Sequence, residues 1–515
     1  MDDAESTAIV IGDRPPTCGA LAAIARRRVE VRLGDAARQR LAAARAIVLR
    51  MAAGPVPVYG LNTGLGAGVD TRLSGDEMSA FQRRVLLGRS VAIGPRLATD
   101  QVRAMIAARL AGLAQGAAGI SPAFADALVA MLNRGLHPIV PSIASVGESD
   151  LALLAHAFLP LIGEGEAEFG GEILSGAEAM RRAGIAPPVF GPKDGLALVS
   201  ANSASVGPGA LVLEDARRVL DALAAAMALS LEGFRGNPTP FDARLQSLRP
   251  APGQQAAAEQ LRALLSNSLL NGARGEAGGP RRVQDPLSFR CYASVQGAAL
   301  FALDQARSVI HAELGGAGDN PSVLIADGIM ISGGNFDVTA LALSFEMLGQ
   351  ALAQCAILAT ARIAKLQSPS LSDLPRFLTR HGATHAGLAV TQKVAASLES
   401  DIRHLALPCS LGVAPTADGV EDYATMAPRV VAKTGEIVGK LALIAAVELI
   451  NAAQAIDLRR IESGGPARLG SGAEQAYGWL RAQSAAIDGD RPLGPDIEHV
   501  AAALLEGKFA VQAAP

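Results

Sequence analysis

Apolar residues recur at helical spacing along most of the chain. Between residues 37 and 53 they fall at steps of three and four, which predicts an amphipathic helix. The apolar positions of this helix are Leu41, Ala44, Ile47, Val48 and Met51. The same spacing returns over residues 76–114 and 122–134. Ser121 and Pro122 are typical of a helix start, with serine as N-cap and proline at the first helical position.

The stretches with apolar residues at helical spacing become longer after about Leu196. The long periodic stretches cover residues 203–233, 254–271, 288–313, 335–366, 386–404 and 431–456. Helices of this length joined by compact loops are typical of an elongated bundle. The first third mixes shorter elements, including a strand or hairpin around Glu166–Ile173. The sequence therefore predicts a mainly α protein with a mixed N-terminal domain over 1–200. A long-helix bundle with a C-terminal helical region follows over 201–515.

Composition and charge narrow the class of protein. Half of the residues are hydrophobic, 18% are charged and 3% are aromatic, so the chain builds an aliphatic core and is not disordered. The formal net charge is −3, which argues against a protein that binds nucleic acid by neutralising phosphates. We expect no nucleic-acid partner.

The chain carries few signs of a membrane, a metal or a disulfide framework. No window approaches the roughly 20 consecutive apolar residues of a membrane helix, and the N-terminus opens with acids instead of the bases of a signal peptide. The four cysteines are widely spaced and lack the spacing of metal ligands. We expect a cytoplasmic protein with no metal and no membrane contact. The positive mean hydropathy of +0.27 indicates apolar surface buried between subunits.

The candidate chemistry lies in glycine- and proline-rich loops between the apolar helices. There is no P-loop, no HExxH and no GxSxG motif. The polar candidates are Tyr59 and Asn62 in YGLNTG, Glu148, Ser149 and Asp150 in SVGESD, Gln284 and Arg290 in VQDPLSFRC, Asn320 in GDNPSV, and Glu421 in VEDYATM. Each alone is also typical of a turn or a helix cap.

Taken together and in order, these motifs resemble the histidine/phenylalanine ammonia-lyase family. The matching segments are YGLNTGLG, SVGESDLALLAH, GEGEAEFGG, NPTPFDARLQSLRPAPGQ, VQDPLSFRC, DNPSVLIADGIMISGGNF and APTADGVEDYATMAP. The resemblance runs from about Tyr59 to about Met426. It implies a mainly α, fumarase/aspartase-like homotetramer that acts on a small-molecule amino acid. Its active sites are built from loops of several subunits at the N-terminal ends of long helices, which suit anionic groups.

The resemblance also implies roles for the candidate residues. Tyr59 is the catalytic base that takes a β-proton, Arg290 clamps the substrate carboxylate, and Asn320 hydrogen-bonds to it. Glu421 lies near the substrate amine or the electrophile. The remaining substrate-binding candidates are Asn62, Gln284 and Arg89, the last at the substrate-selecting position where family members often have histidine.

The chain departs from the family at the electrophile. That electrophile is a methylidene-imidazolone ring, formed autocatalytically from Ala-Ser-Gly, whereas this chain has Glu148-Ser149-Asp150 in a segment one residue shorter. Ring closure presses the third residue's amide nitrogen onto the first residue's carbonyl, which glycine permits because it lacks Cβ. We expect neither a ring nor another cofactor. Because Ser149 is present, a ring from Glu148-Ser149-Asp150 is the alternative.

Three functions stay open on the sequence alone. The first is elimination of ammonia from an α-amino acid such as histidine, phenylalanine or tyrosine. The second is a ring-free lyase, isomerase or cyclase that uses Tyr59 as base on an acidic substrate. In that case Arg89 would face a second acidic group, and Glu148 or Asp150 would act as general acid or base. The third is a non-catalytic protein of the same fold.

Overall fold

Helices make up most of the structure, a computed structural model that describes residues 8–65, 71–412, 415–464 and 468–511. The helices are α1 (Cys18–Arg26), α2 (Asp35–Ala52), α3 (Gly75–Arg89), α4 (Thr99–Leu113), α5 (Pro122–Arg134), α6 (Leu151–Phe158), α7 (Gly176–Arg182), α8 (Asp194–Val199), α9 (Ser203–Phe234), α10 (Ala243–Ser247), α11 (Gln254–Leu264), α12 (Leu287–Arg290), α13 (Tyr292–Gly315), α14 (Thr339–Leu366), α15 (Pro369–Ser372), α16 (Thr391–Leu405), α17 (Ala427–Ser463), α18 (Ser471–Gln483) and α19 (Gly494–Leu505). The predicted mainly α fold is confirmed.

The strands are short and form small sheets of two or three strands. They are β1 (Ile9–Ile11), β2 (Val31–Leu33), β3 (Ile93–Arg96), β4 (His137–Pro138), β5 (Pro141–Ile143), β6 (Glu166–Phe169), β7 (Glu172–Ser175), β8 (Ser322–Leu324) and β9 (Ile329–Ile331). β1 pairs in parallel with β2, and β3 pairs with β5, β4 with β6, β6 with β7 and β8 with β9 antiparallel. The β6–β7 hairpin, in which Glu168 faces Ile173, confirms the hairpin expected there.

The chain divides into two compact units, and each is assembled from three separate stretches. The first unit takes residues 1–214, 306–344 and 408–432, and the second takes 215–305, 345–407 and 433–515. α9, α13, α14 and α17 each contribute residues to both units. The domain boundary that the sequence predicts at residue 200 marks a change in the apolar pattern, whereas the two units are defined by compactness. The predicted boundary stays a prediction.

Local sequence explains where the helices begin and end. α5 begins at Pro122, whose missing N–H costs nothing in the first turn, and it stops at Gly135 because glycine adopts the left-handed φ of 73°. α2 buries Leu41 and Val48 on one face, as its spacing predicts. These boundaries lie within two residues of the predicted ones.

The first unit contains a close helix contact that requires glycine. Gly207 in α9 lies against α4, where a Cβ at Gly207 would come within 2.5 Å of the backbone carbonyl of Ala104. Ala104 is itself fully buried. Small residues at this point let the two helix backbones approach, which fits a core built from alanine and leucine.

Three helices in the described part of the chain are long and apolar enough, by length and composition, to cross a membrane. They are Asp194–Phe234, which comprises α8, α9 and the three residues between them, Thr339–Leu366 and Ala427–Ser463. The expectation that no window approaches such a span is therefore wrong. Within the structure, 100%, 61% and 89% of the respective apolar windows are buried, so packing inside the protein already accounts for most of this hydropathy.

Candidate active site

A cavity of about 400 Å³ lies in the first unit and collects residues from distant parts of the sequence. Its lining comprises Tyr59, Leu65, Arg89, Glu148, Ser149, Leu151, Leu196, Ser200, Asn320, Phe336, Ala417, Val420, Glu421, Asp422 and Tyr423. Six of the ten predicted site residues are thus in one place. The six are Tyr59, Arg89, Glu148, Ser149, Asn320 and Glu421.

The loop that carries Tyr59 is held rigid by Asn62. The Asn62 side-chain oxygen accepts a hydrogen bond from the Val58 N–H at 2.7 Å, and its amide nitrogen donates to the Val56 carbonyl at 2.9 Å. Asn62 is 2% exposed and is not part of the cavity lining. Asn62 therefore braces the backbone on which Tyr59 lies, and its predicted contact with the substrate stays a prediction.

Gly60 permits the tight packing beneath Tyr59. It has a φ of 63°, and a Cβ there would lie 2.4 Å from a methyl carbon of Leu196. Its carbonyl accepts a hydrogen bond from the Gln82 side chain at 3.2 Å, while the Gln82 oxygen accepts one from the Leu196 N–H. Gln82 thereby ties the Tyr59 loop to α8, which lines another side of the cavity.

The segment around Glu148 is held in an unusual backbone conformation. Gly147 and Ser149 have φ values of 91° and 59°. The Thr425 hydroxyl donates to the Gly147 carbonyl at 3.0 Å, and Glu148 forms an isolated antiparallel bridge with Asp337. These contacts fix the backbone of Glu148 at the cavity wall.

Asp150 is a buried anchor next to this segment. Its carboxylate accepts hydrogen bonds from the Ser145 hydroxyl at 2.9 Å and from the Ser205 N–H and hydroxyl at 2.8 and 3.0 Å. Burial raises the pKa of Asp150 to about 6, against the lowering effect of these hydrogen bonds. It is not part of the cavity lining, and its predicted role as general acid or base stays a prediction.

Glu148 and Arg89 set the electrostatics of the cavity. Burial, and then the nearby Asp337 carboxylate, raise the pKa of Glu148 to about 7. Burial lowers the pKa of Arg89, opposed by the acidic groups of Tyr59 and Glu421. Glu421 itself accepts a hydrogen bond from the Thr416 hydroxyl at 3.1 Å. A base candidate, a cation and a carboxyl that titrates near neutrality therefore share one cavity.

Asn320 is positioned by a buried ion pair. Its neighbour Asp319 pairs with Arg109 at 2.6 Å, and both side chains are almost fully buried. Arg109 also donates to the Ala197 carbonyl in α8. The Asn320 N–H donates to the Ser200 hydroxyl at 3.2 Å, so the Asn320 loop and the end of α8 form one wall.

Gln284 and Arg290 are not part of this cavity lining. Both belong to the second unit, where Gln284 is exposed and the Arg290 side chain donates to the Asp285 carbonyl at 2.8 Å. Their predicted contact with the substrate stays a prediction.

Four polar or aromatic lining residues, Ser200, Phe336, Asp422 and Tyr423, are not among the predicted site residues. Ser200 follows α8 directly and lies in none of the matching segments. Phe336 and Tyr423 lie within the matching segments DNPSVLIADGIMISGGNF and VEDYATM, and the Tyr423 hydroxyl hydrogen-bonds the Thr339 hydroxyl at 2.8 Å. Their rarity was the available signal, because the chain has only 13 Phe and 4 Tyr in 515 residues.

The segment Glu148-Ser149-Asp150 does not fit a methylidene-imidazolone ring. The Asp150 N–H, which would have to turn onto the Glu148 carbonyl, donates instead to the Ala201 carbonyl at 2.7 Å. The Asp150 side chain is fully buried and held by the contacts described above. Among the described residues, no group of three or more His, Cys, Asp or Glu is arranged to hold a metal ion.

Comparison with known proteins gives consistent matches over nearly the whole chain. Residues 17–482 match the family model of the aromatic amino acid lyases. A histidine ammonia-lyase from Symbiobacterium thermophilum is 40% identical over 488 residues, which cover 95% of this chain and 94% of that protein.

Solved structures show the same similarity. An ergothioneine-degrading ergothionase from Treponema denticola has a TM-score of 0.91 and 33% identity, covering 98% of this chain and 99% of its own. A tyrosine aminomutase from Streptomyces globisporus has a TM-score of 0.91 and 29% identity, with coverages of 98% and 97%.

Proposed function

The chain belongs to the aromatic amino acid lyase family and is a carbon–nitrogen lyase of the ammonia-lyase class, and from this premise we propose that Tyr59 is the base that removes the β-proton of an aromatic amino acid. The predicted family and its fumarase/aspartase-like helical class are confirmed. The observation that carries the proposal is the shared cavity, in which Tyr59 lies with Arg89, Asn320 and Glu421.

We assign a separate role in the elimination to each of these cavity residues. The Tyr59 oxygen accepts the β-proton, the C–H electron pair becomes the new double bond, and the nitrogen leaves with the pair of the Cα–N bond. The Arg89 cation lies near Tyr59, on the same cavity wall as the proposed base. Asn320 binds an acidic group of the substrate through its amide. We propose histidine-like amino acids as the substrate class, following the similarity to histidine ammonia-lyases.

Replacement of Tyr59 by Phe tests this assignment. Release of the arylacrylate, followed by its ultraviolet absorbance, should fall by about 10²- to 10⁴-fold, with KM changing little because only the proton transfer is lost. Asn62→Ala is a useful comparison, since it should loosen the loop without removing the base. Full activity in the Phe variant would refute the role of Tyr59.

A second candidate is favoured by the poor fit of Glu148-Ser149-Asp150 to the ring. Here the same elimination runs without an electrophile, on a substrate with a better leaving group or a more acidic β-proton. The Treponema denticola enzyme, described as degrading ergothioneine, makes that compound a reasonable substrate to test. Intact mass decides between the two, because a protein two waters lighter than its sequence contains the ring, whereas a protein at its sequence mass does not.

We further propose that the protein is a homotetramer. The apolar window of α14 is only 61% buried within one chain, and it exposes large apolar side chains including Leu343, Met347 and Ile357. Such a face is typical of a helix that packs against another subunit.

A further inference from the structure

The second unit contains a cavity of about 250 Å³ whose lining shares no residue with that of the Tyr59 cavity. It lies at the C-terminal ends of α9 and α17 and includes three arginines, Arg235, Arg459 and Arg468, and two acids, Glu232 and Glu462. The arginines outnumber the acids, so the lining favours an anionic ligand.

Backbone carbonyls hold the three arginines in place. Arg235 donates through Nε and one terminal nitrogen to the Gly279 carbonyl, at 3.1 and 2.9 Å. Arg468 donates through Nε to the Asn267 carbonyl at 2.8 Å, and Arg459 donates through Nε to a backbone carbonyl of α9 at 3.2 Å. Uncharged carbonyls fix the guanidinium groups without neutralising them.

The charge of the arginines is only partly compensated. Arg459 pairs with Glu462 at 3.1 Å. Among the described residues, neither Arg235 nor Arg468 forms an ion pair. Burial lowers the pKa of Arg459, and the nearby Arg235 charge acts in the same direction, as expected for two cations close together.

Glu232 adds little negative charge to this cavity. One of its oxygens accepts a hydrogen bond from the Gly470 N–H at 2.8 Å, and the side chain is 7% exposed. Burial raises the pKa of Glu232 to about 7, so that a protonated carboxyl is present near neutral pH. In that form Glu232 can donate a hydrogen bond to an anion.

We propose that this cavity binds a phosphate group between the guanidinium groups of Arg235, Arg459 and Arg468. The planar guanidinium fork suits the paired oxygens of phosphate. The hydrogen bonds described above leave terminal N–H groups of Arg235 and Arg468 for such a ligand. The volume lies below the about 300 Å³ at which pockets for drug-sized ligands begin, which suits a small anion. The site is independent of the proposed lyase chemistry.

Calorimetric titration of the full-length protein tests the site. The probes are inorganic phosphate and glycerol 3-phosphate, at an ionic strength held constant with sodium chloride. We expect saturable binding of one anion per chain, and Arg468→Gln should weaken it by about tenfold or more, because it removes a charged hydrogen-bond donor. Arg468→Lys keeps the charge and should lose less. Arg468 is exposed, so neither variant removes core packing.

Arg244→Gln is the matched control. It removes one arginine charge from the same unit, at a side chain that is 91% exposed and outside the cavity lining, and should retain the wild-type affinity. Binding of inorganic phosphate alone would identify free phosphate as the ligand, whereas binding of both probes would identify the phosphate group of a larger molecule. Absence of saturable binding of either probe, or equal affinities in the wild-type protein and Arg468→Gln, would overturn the proposal.

Discussion

Glu148 directly precedes Ser149 at the cavity wall, and its carboxyl has a pKa close to neutral pH. Its raised pKa of about 7 has burial as the main cause, with Asp337 adding repulsion. The charge of the cavity therefore changes around neutral pH. At lower pH Glu148 is neutral, and at higher pH it adds a negative charge beside Glu421.

This titration predicts a pH dependence of substrate binding. Affinity for a cationic substrate should rise by about two- to fivefold between about pH 6 and about pH 8, because Glu148 loses its proton and attracts the cation. Calorimetry at both pH values measures the change. In Glu148→Gln the rise should disappear, whereas Glu166→Gln, an exposed acid in β6, should retain it. An unchanged rise in Glu148→Gln would assign the effect to another group.

The missing glycine predicts a change of chemistry that mass spectrometry can detect. The wild-type protein should have the mass of its sequence. Glu148→Ala combined with a glycine inserted after Ser149 restores the Ala-Ser-Gly order and frees the third residue from the Asp150 anchor. That variant should lose two waters on purification. A wild-type protein already two waters lighter would contradict the poor fit described above.

The sequence predicts which residues belong to the region of the site better than it predicts which of their side chains line the cavity. Tyr59, Arg89 and Glu421 were predicted from their motifs, and the structure places them in one cavity. Asn62 and Asp150 come from the same motifs yet serve as backbone supports. Whether a polar side chain turns toward the cavity or back to its own loop depends on local backbone angles, such as the φ of 59° at Ser149, which the sequence pattern does not reveal.

At the level of the helices, a buried ion pair connects several helices of the second unit. Arg362 in α14 binds Glu448 in α17 with two hydrogen bonds, of 2.6 and 2.8 Å, and both side chains are almost fully buried. Ser230 in α9 donates to the same carboxylate at 2.7 Å, and Arg362 also donates to the Ser288 carbonyl. Three long helices thus share one buried charged group.

Breaking this pair should destabilise the second unit strongly. Glu448→Ala should cost about 3–5 kcal/mol, because it leaves the Arg362 charge buried without its partner. The double change Arg362→Met with Glu448→Leu removes both charges and should cost much less. Urea unfolding followed by circular dichroism measures both variants. Equal losses in the two would show that packing, not the unpaired charge, determines the stability here.

Helix positions were the part of the fold that the sequence predicted best. The start of α5 at Pro122 and its end before Gly135 follow from two residues with strong local preferences. The sequence prediction was less accurate for the hydropathy of Asp194–Phe234. Its apolar stretch reaches the length of a membrane helix, which the sequence analysis did not expect. Periodicity indicates which face is apolar, but it does not indicate how many neighbours cover that face.

On the scale of the whole molecule, the incompletely covered α14 predicts assembly. Light scattering after size-exclusion chromatography should give about four times the 52.6 kDa chain mass. Met347→Glu, which places a charge on the exposed apolar face of α14, should shift the protein to a smaller species. Glu436→Lys, in α17, is a control that changes charge without altering that face. A monomer in the wild-type protein would refute the tetramer.

The interleaving of the two units determines when the chain can fold during synthesis. The first unit needs residues 408–432, which carry Glu421 and Tyr423, and by then more than half of the second unit has already been made. At a translation rate of about 5–20 residues per second, roughly 20–90 s pass before the last part of the first unit is made. Until then the newly made apolar helices lack their final partners on the ribosome. Premature termination before residue 408 would therefore leave both units incomplete at once.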